Sequence, residues 1–194
     1  MLPEVVLQQI SRDDVARMDQ WLQDEEINSS WYGNDDSGKP IHIGYSPHEV
    51  KDASNEEWVR TFSNDERKIY SVYSSKGEQI GEGQIVLEQE VRSAHVVILI
   101  GRKDFWHQQY GSSAMIQLLD EVFYTYDMHR AWIAVPEYNL QALHMCEHIG
   151  FLLEGRFRRR HLHGGQWYDS FSMGLLNDEY SRRRARILEE TAST

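Results

Sequence analysis

Val97-Ile98-Leu99-Ile100-Gly101-Arg102-Lys103-Asp104-Phe105-Trp106-His107-Gln108-Gln109-Tyr110-Gly111-Ser112-Ser113-Ala114 changes texture halfway along. Residues 94–100 form an almost unbroken apolar run, the pattern of a strand covered on both faces. A short polar and aromatic loop follows. From about residue 111 to 126, Met115, Leu118, Leu119, Val122 and Phe123 recur at helical spacing. A buried strand therefore passes through a loop directly onto a helix. The first amides of that helix have no acceptor within it, and the aligned peptide dipoles make its start partly positive. A pyrophosphate is the kind of ligand such a start favours. Gly111 and the small Ser112, Ser113 and Ala114 would let phosphate oxygens approach the backbone. Strand, loop and helix with a single glycine is also a common structural joint, so further residues must decide the chemistry.

Downstream, residues 131–135 read as a second buried strand, ended by Pro136, and residues 140–148 as a short helix stopped by Gly150. Residues 151–161 and 166–174 read as strands flanking the hairpin turn His163-Gly164-Gly165, and the charged tail 178–190 as a helix. Upstream, residues 68–74 and 79–87 read as strands joined by Ser75-Lys76-Gly77. Residues 23–55 are polar and rich in Gly, Ser, Asp and aromatics. They are expected to be loop, with one short helix around Glu56-Glu57-Trp58-Val59. At the start, Val5-Val6-Leu7 suggests a strand. Ser11-Arg12-Asp13-Asp14 offers an N-cap before the amphipathic Val15, Met18, Trp21 and Leu22. This order predicts an α/β protein of the α+β type: a single mixed, mostly antiparallel central sheet with helices on both faces. One domain over residues 1–194 is expected, with an N-terminal part (1–67), a core ending in the hairpin (68–176) and a helical tail (177–194).

The 194 residues are 40% hydrophobic and 26% charged, as in an ordinary globular chain able to bury a core. No run reaches the roughly 18 to 20 apolar residues that span a bilayer, and Met1-Leu2-Pro3-Glu4 lacks the start of a signal peptide. A cytoplasmic location without membrane attachment is the expectation. The single cysteine, Cys146, excludes an internal disulfide and a cysteine-cluster metal site. A formal charge of −11 argues against nucleic acid as a partner and favours cationic ones, although acidity also serves solubility alone.

Later segments add a pattern. Asn139-Leu140-Gln141-Ala142 runs on to Glu147-His148-Ile149-Gly150-Phe151, then Glu154-Gly155-Arg156-Phe157-Arg158, then Gly164-Gly165-Gln166-Trp167-Tyr168-Asp169. In order and spacing this resembles the GNAT superfamily, and within it the branch that acetylates ribosomal-protein N-termini, polyamines and some aminoglycosides. The resemblance covers roughly residues 68–180; the N-terminal part matches only in layout. Phe105-Trp106 and Tyr110-Gly111 resemble the branch's Tyr-Trp-Gly-Lys-Gly-Tyr-Gly wording. The family's Arg/Gln-x-x-Gly-x-Gly/Ala falls on Trp106 to Gly111 with only the last glycine matching, so Gln109 stands where the first glycine would be.

The resemblance implies a GNAT-like acyl-CoA N-acyltransferase fold and acetyl-CoA as co-substrate, without a metal. Cofactor contacts would come from Ile98, Leu99 and Ile100, from Trp106, His107, Gln108, Gln109, Tyr110, Gly111, Ser112 and Ser113, and from Asn139, whose amide also suits an N-cap. The implied reaction is direct attack of a neutral primary amine on the thioester in a ternary complex. A backbone N–H near Leu99-Ile100 would meet the oxyanion where the strand splays. The branch's acid tyrosine falls on Cys146, which reads either as a proton donor or as a small buried hydrophobe. The base position falls on His95, either a base or a strand-end histidine, with Glu82 and Glu88 as alternatives. His161 and His163 lack the partners of a metal site and read as a hairpin tip, and the basic run 156–160 as an exposed strand face. The acceptor, an amine-bearing small molecule or a protein N-terminus, would sit between the 23–55 segment and the hairpin. Asp24, Glu25, Glu26, Asp35 and Asp36 make that segment negative, and Trp31 and Tyr32 offer cover. A homodimer is possible. Gln109 and the missing tyrosine leave open an alternative, a non-catalytic GNAT-fold module that binds CoA or senses a ligand.

Overall fold

The computed structural model describes residues 2–192, and side chains as far as Ile187. Among the described residues seven strands form one sheet in the order β1-β2-β3-β4-β5-β7-β6: β1 Val5–Gln9, β2 Arg67–Ser74, β3 Gln79–Glu88, β4 Ser93–Ile100, β5 Arg130–Pro136, β6 Leu152–His163 and β7 Gln166–Leu176. All neighbours run antiparallel except β4 and β5. The helices are α1 Arg12–Trp21, α2 Glu25–Trp31, α3 Pro47–Val50, α4 Asn55–Phe62, α5 Tyr110–Asp120, α6 Leu140–Ile149 and α7 Asn177–Ala192.

Both faces of the sheet are covered, as the unbroken apolar run in β4 requires. Ala94 and Val96 pack with Met115, Leu118 and Leu119 of α5, Ile149 of α6 and Tyr180 of α7. Val97 and Leu99 point the other way, against Met18 and Leu22 of the α1 side and Ile27 and Trp31 of α2. The hairpin between β6 and β7 turns on Gly164 (φ 55°) and Gly165 (φ 75°), the pair of left-handed residues that a two-residue type I′ turn demands.

The polar segment 23–55 departs from the expected loop, because α2 and α3 lie within it. Asp24 caps α2 by accepting from the amides of Glu26 and Ile27, and Glu25 and Glu26 suit the positive helix start. Ile27 and Trp31, four residues apart, then bury one side of it. Two apolar residues in seven sufficed because they fall on the same face. The helix after the central loop also differs: its regular part stops at Asp120, and a wider π turn, Glu121–Thr125, completes the length read from periodicity.

The feature that shapes a site is the short contact between β4 and β5. They pair only at Ser93↔Arg130, Ala94↔Ala131 and His95↔Trp132, whereas β4 stays paired with β3 as far as Gly81↔Ile100. Past His95, β4 and β5 diverge. Antiparallel ladders alternate between residues that exchange hydrogen bonds and residues that point away. Gly101 N–H donates to Ile80 O (2.9 Å), so Ser93, His95, Val97 and Leu99 spend their backbone groups on β3. Ile98 and Ile100 therefore turn theirs into the gap.

Candidate active site

A groove of about 580 Å³ follows this gap and continues to the start of α5. Of the cofactor contacts expected from the sequence, Ile98, Leu99, Ile100, Trp106, His107, Gln109, Tyr110, Gly111, Ser112 and Asn139 line it. Gln108 does not; it is exposed and its amide donates to Asp104 O (2.6 Å). Ser113 is buried instead, one turn into the helix. Leu99 lines the groove, but its backbone faces Glu82 on β3, so of the pair Leu99-Ile100 only Ile100 presents backbone groups to the gap. The carbonyl of Ile100 is already taken, by the indole N–H of Trp106 (2.7 Å). That bond pins the loop to the strand where the groove bends. The N–H of Ile100 and both backbone groups of Ile98 are left for a ligand running along the gap.

No side chain caps α5. Its first N–H groups, at Tyr110, Gly111 and Ser112, open directly on the groove, which is the arrangement that binds phosphate oxygens. The loop ahead of it holds two left-handed residues, His107 (φ 60°) and Gln109 (φ 63°). In the Tyr-Trp-Gly-Lys-Gly-Tyr-Gly wording these are the first two glycines. The chain keeps the glycine-type backbone with side chains in place, at roughly 1 kcal/mol or more for each such residue. Gln109→Gly is accordingly expected to stabilise the protein by about 0.5–1 kcal/mol in denaturant unfolding, after the entropy that glycine adds to the unfolded chain. CoA affinity should be retained or raised; a destabilised variant would show that the Gln109 side chain contributes more than its backbone costs.

From the other wall, Asn139 caps α6 through Oδ1, which accepts from Ala142 N–H (3.1 Å). Gln141, Ala142, His144 and Met145 reach the groove, as do Glu26 and Ser30 of α2. None of these six was singled out as a cofactor contact in the sequence. For the α6 residues the signal was the i, i+3, i+4 face measured from Gln141, with Ala142 beside it; for Glu26 and Ser30 it was hidden with α2 itself. Lys103 binds Asp24 (2.8 Å) and Glu26 (2.7 Å), so part of the acidity of this segment ties α2 to the loop and is not free for an acceptor.

Cys146, expected either as an acid or as packing, is fully buried in the core beside α5 and does not line the groove. Burial pushes its thiol up to about 12. The helix turns it away from the ligand side. Cys146→Ala should cost on the order of 1 kcal/mol of stability, as for a small buried group, and leave turnover within a factor of a few. Turnover lost without loss of stability would return the thiol to the chemistry.

His95 lies on the α1–α2 face at the closed end of the gap, stacked on Trp132 (ring centres 4.0 Å apart). Burial first, then the guanidiniums of Arg160 and Arg67, hold its imidazole down at about 4 from an ordinary 6.5. Its value in the fold is below that of the unfolded chain, so the fold favours the neutral ring, and stability declines as pH falls through the window from about 6.5 to about 4. Glu82 is buried under three donors: His42 Nε2 (3.0 Å), Gln84 Nε2 (2.8 Å) and the Tyr45 hydroxyl. Three of its four lone-pair sites are taken, and it does not line the groove. Glu88 sits at the far end of β3, opposite Ser93. His163, expected as a free hairpin tip, stacks on Tyr138 (5.0 Å), whose hydroxyl donates to Ser29 O (2.8 Å). His161 is buried. Among the described residues no three His, Cys, Asp or Glu side chains converge as a metal site, and no helix is long and apolar enough to cross a membrane.

The same fold occurs in known proteins. Residues 4–152 match the sequence profile of a family described as "Acetyltransferase (GNAT) domain". A spermidine N-acetyltransferase from Vibrio cholerae in complex with CoA and spermine superposes with a TM-score of 0.76 at 21% identity, over 91% of this chain and 97% of that one. A dodecameric structure of spermidine N-acetyltransferase from Vibrio cholerae superposes with a TM-score of 0.73 at 19% identity, over 92% and 97%. No curated protein matches the sequence. The profile match spans well over half of the residues, and the chain belongs to the GNAT acetyltransferase family, whose acetyl donor is acetyl-CoA.

Proposed function

We propose that the protein transfers the acetyl group of acetyl-CoA to a primary amine by direct attack within a ternary complex. The observation that carries this is the continuity between the uncapped start of α5 and the unspent backbone of Ile98 and Ile100. The pyrophosphate sits on the amides of Tyr110, Gly111 and Ser112, and the pantetheine arm runs along the gap like a missing strand. The thioester then lies near the closed end, where the Ile98 N–H meets the developing oxyanion. Residues 1–67 form the acceptor side, residues 68–176 the cofactor side and residues 177–194 the tail. With the only thiol buried, no cysteine is available to carry the acetyl group, which favours a single displacement. The groove is built, with Gln109 in the required backbone conformation, which supports CoA binding, and membership of an acetyltransferase family favours turnover over a binding-only module.

The acceptor is an amine on a small molecule or a protein N-terminus, reaching the thioester from the α1–α2 face; the cytoplasm supplies both. The exposed Leu152, Leu153 and Phe157 on the edge strand β6 suit a homodimer contact. The test is a bisubstrate kinetic analysis following CoA release and acetylated product with an amine panel. Intersecting initial-rate lines and no acetylated protein by mass spectrometry are expected. Parallel lines with a trapped acetyl-protein would replace direct attack by a covalent relay.

In this reading His95 accepts the amine proton as a neutral imidazole. Its low proton affinity limits the effect of His95→Gln to about 100-fold in turnover, the lower end for a general base. Because the ring is neutral above about pH 5, the acidic limb of the rate profile there belongs to the amine and persists in the variant. A limb near pH 6–7 that disappears in the variant would show that His95 titrates in its ordinary range.

A further inference from the structure

At the closed end of the gap, the strand registers align Arg67, Val86, His95 and Trp132 in one row across β2, β3, β4 and β5. Tyr32, just after α2, and His161, near the end of β6, meet with ring centres 6.1 Å apart. The same two guanidiniums, Arg67 and Arg160, act on both Tyr32 and His95, and Arg160 acts on His161 as well. One corner of the acceptor face thus gathers three rings and two positive charges.

Neither guanidinium has a carboxylate at ion-pair distance among the described residues. Arg67, only partly exposed, donates to the neutral Gln84 Oε1 (2.5 Å), and Arg160 lies over the Phe157 ring at 4.8 Å. In a chain with 31 acidic side chains against 20 basic ones, Arg67 has no carboxylate in contact and feels Glu82 only at a distance, across the Gln84 amide that both hold. Arg156, on the same strand as Arg160, is by contrast paired with Asp169 (3.1 Å). His161 adds an independent sign. It is 3% exposed, its ring is held by the Tyr32 backbone, and its Nε2 has no hydrogen-bond partner. In a neutral ring held through its other N–H, the free nitrogen is an acceptor. Two guanidiniums without a contacting carboxylate and one unpartnered acceptor nitrogen together match a ligand that carries an anion and an N–H.

We propose that the acceptor is an amine bearing an anionic group, a carboxylate in the simplest case, bound by Arg67 and Arg160 with an N–H of the same molecule on His161 Nε2. This rests on the acetyl-transfer reading and narrows its substrate. It also separates this chain from the neighbour solved with spermine, since a polycation would meet two guanidiniums that no carboxylate touches here.

The test compares acceptors matched except for charge: the protein α-amino acids, their α-amides, and spermidine, with CoA release as the readout. The best acid is expected to exceed its amide and spermidine by about 10- to 100-fold in kcat/KM, as for a charge-assisted contact. Arg67→Gln and Arg160→Gln should each move the acid-to-amide ratio toward one without changing KM for acetyl-CoA. Arg160 is exposed, so its variant keeps the test valid even if Arg67→Gln folds poorly. Spermidine turned over as well as the best acid, or a ratio unmoved by both variants, would overturn the proposal. If CoA binds and no amine is acetylated, the acetyl-transfer reading fails separately. The anion site is then read by calorimetric titration of N-acetyl amino acids into the CoA-loaded protein: binding weakened in Arg160→Gln sustains the site, and no binding overturns it.

Discussion

Gly111→Asp is expected to abolish CoA binding and leave the fold intact. Gly111 is the second residue of α5 and lines the groove where the phosphates would lie. Its backbone does not require glycine, because it is not among the left-handed residues, and a Cβ there would meet only Met145 Sδ at 3.5 Å and Ile100 Cγ1 at 3.8 Å. A side chain can therefore be built without disturbing the helix, and an acidic one in the first turn even complements the helix dipole. The carboxylate would project toward the pyrophosphate. At 4 Å, like charges cost roughly 1 to 4 kcal/mol per pair between water and a protein surface, and the pyrophosphate carries more than one. A loss of affinity of at least about 100-fold follows. Calorimetry against CoA and a thermal melt separate the two effects. Unchanged affinity would place the pyrophosphate elsewhere; affinity and stability lost together would show that the position is structural.

What could be read in the sequence was what depends on neighbours along the chain. The apolar run in β4, the helical spacing of α5, the Gly-Gly turn and the cap at Asn139 are local patterns, and they located most of the groove. α2 escaped because five of its seven residues are polar and its two buried ones, Ile27 and Trp31, show their common side only once the helix is assumed. The state of His95 was illegible for another reason. Its low proton affinity comes from burial and from Arg67 and Arg160, which are 28 and 65 residues away and are brought near by strand register and the hairpin. Gln109 lies between these cases. The sequence shows that a glycine is missing, and only the backbone shows that its conformation was kept, at His107 as well.

Which backbone amide meets the oxyanion is likewise a matter of register, and it gives the second large effect. Ile98→Pro should yield a folded protein whose turnover is lower by about 10²- to 10³-fold, the usual loss for one oxyanion donor. Proline removes the N–H of its own residue, and in a sheet it is tolerated where that N–H faces away from the ladder. At Ile98 the N–H points into the gap and makes no bond to β3, and Val97 before it is already extended, as a residue preceding proline must be. Leu99→Pro makes the contrast. One residue on, the N–H belongs to the ladder with Glu82 in the middle of the sheet, so its loss should cost about 3 kcal/mol or more and unfold much of the protein. Both variants are assayed at saturating acetyl-CoA, so that a weaker grip on the pantetheine arm does not enter the rate, and melting is recorded in parallel. Ile98→Pro with full turnover would move the donor to the other free amide, at Ile100. A stable Leu99→Pro would mean that the alternation along β4 is shifted by one residue, and with it every assignment of which side chain faces the cofactor and which the acceptor.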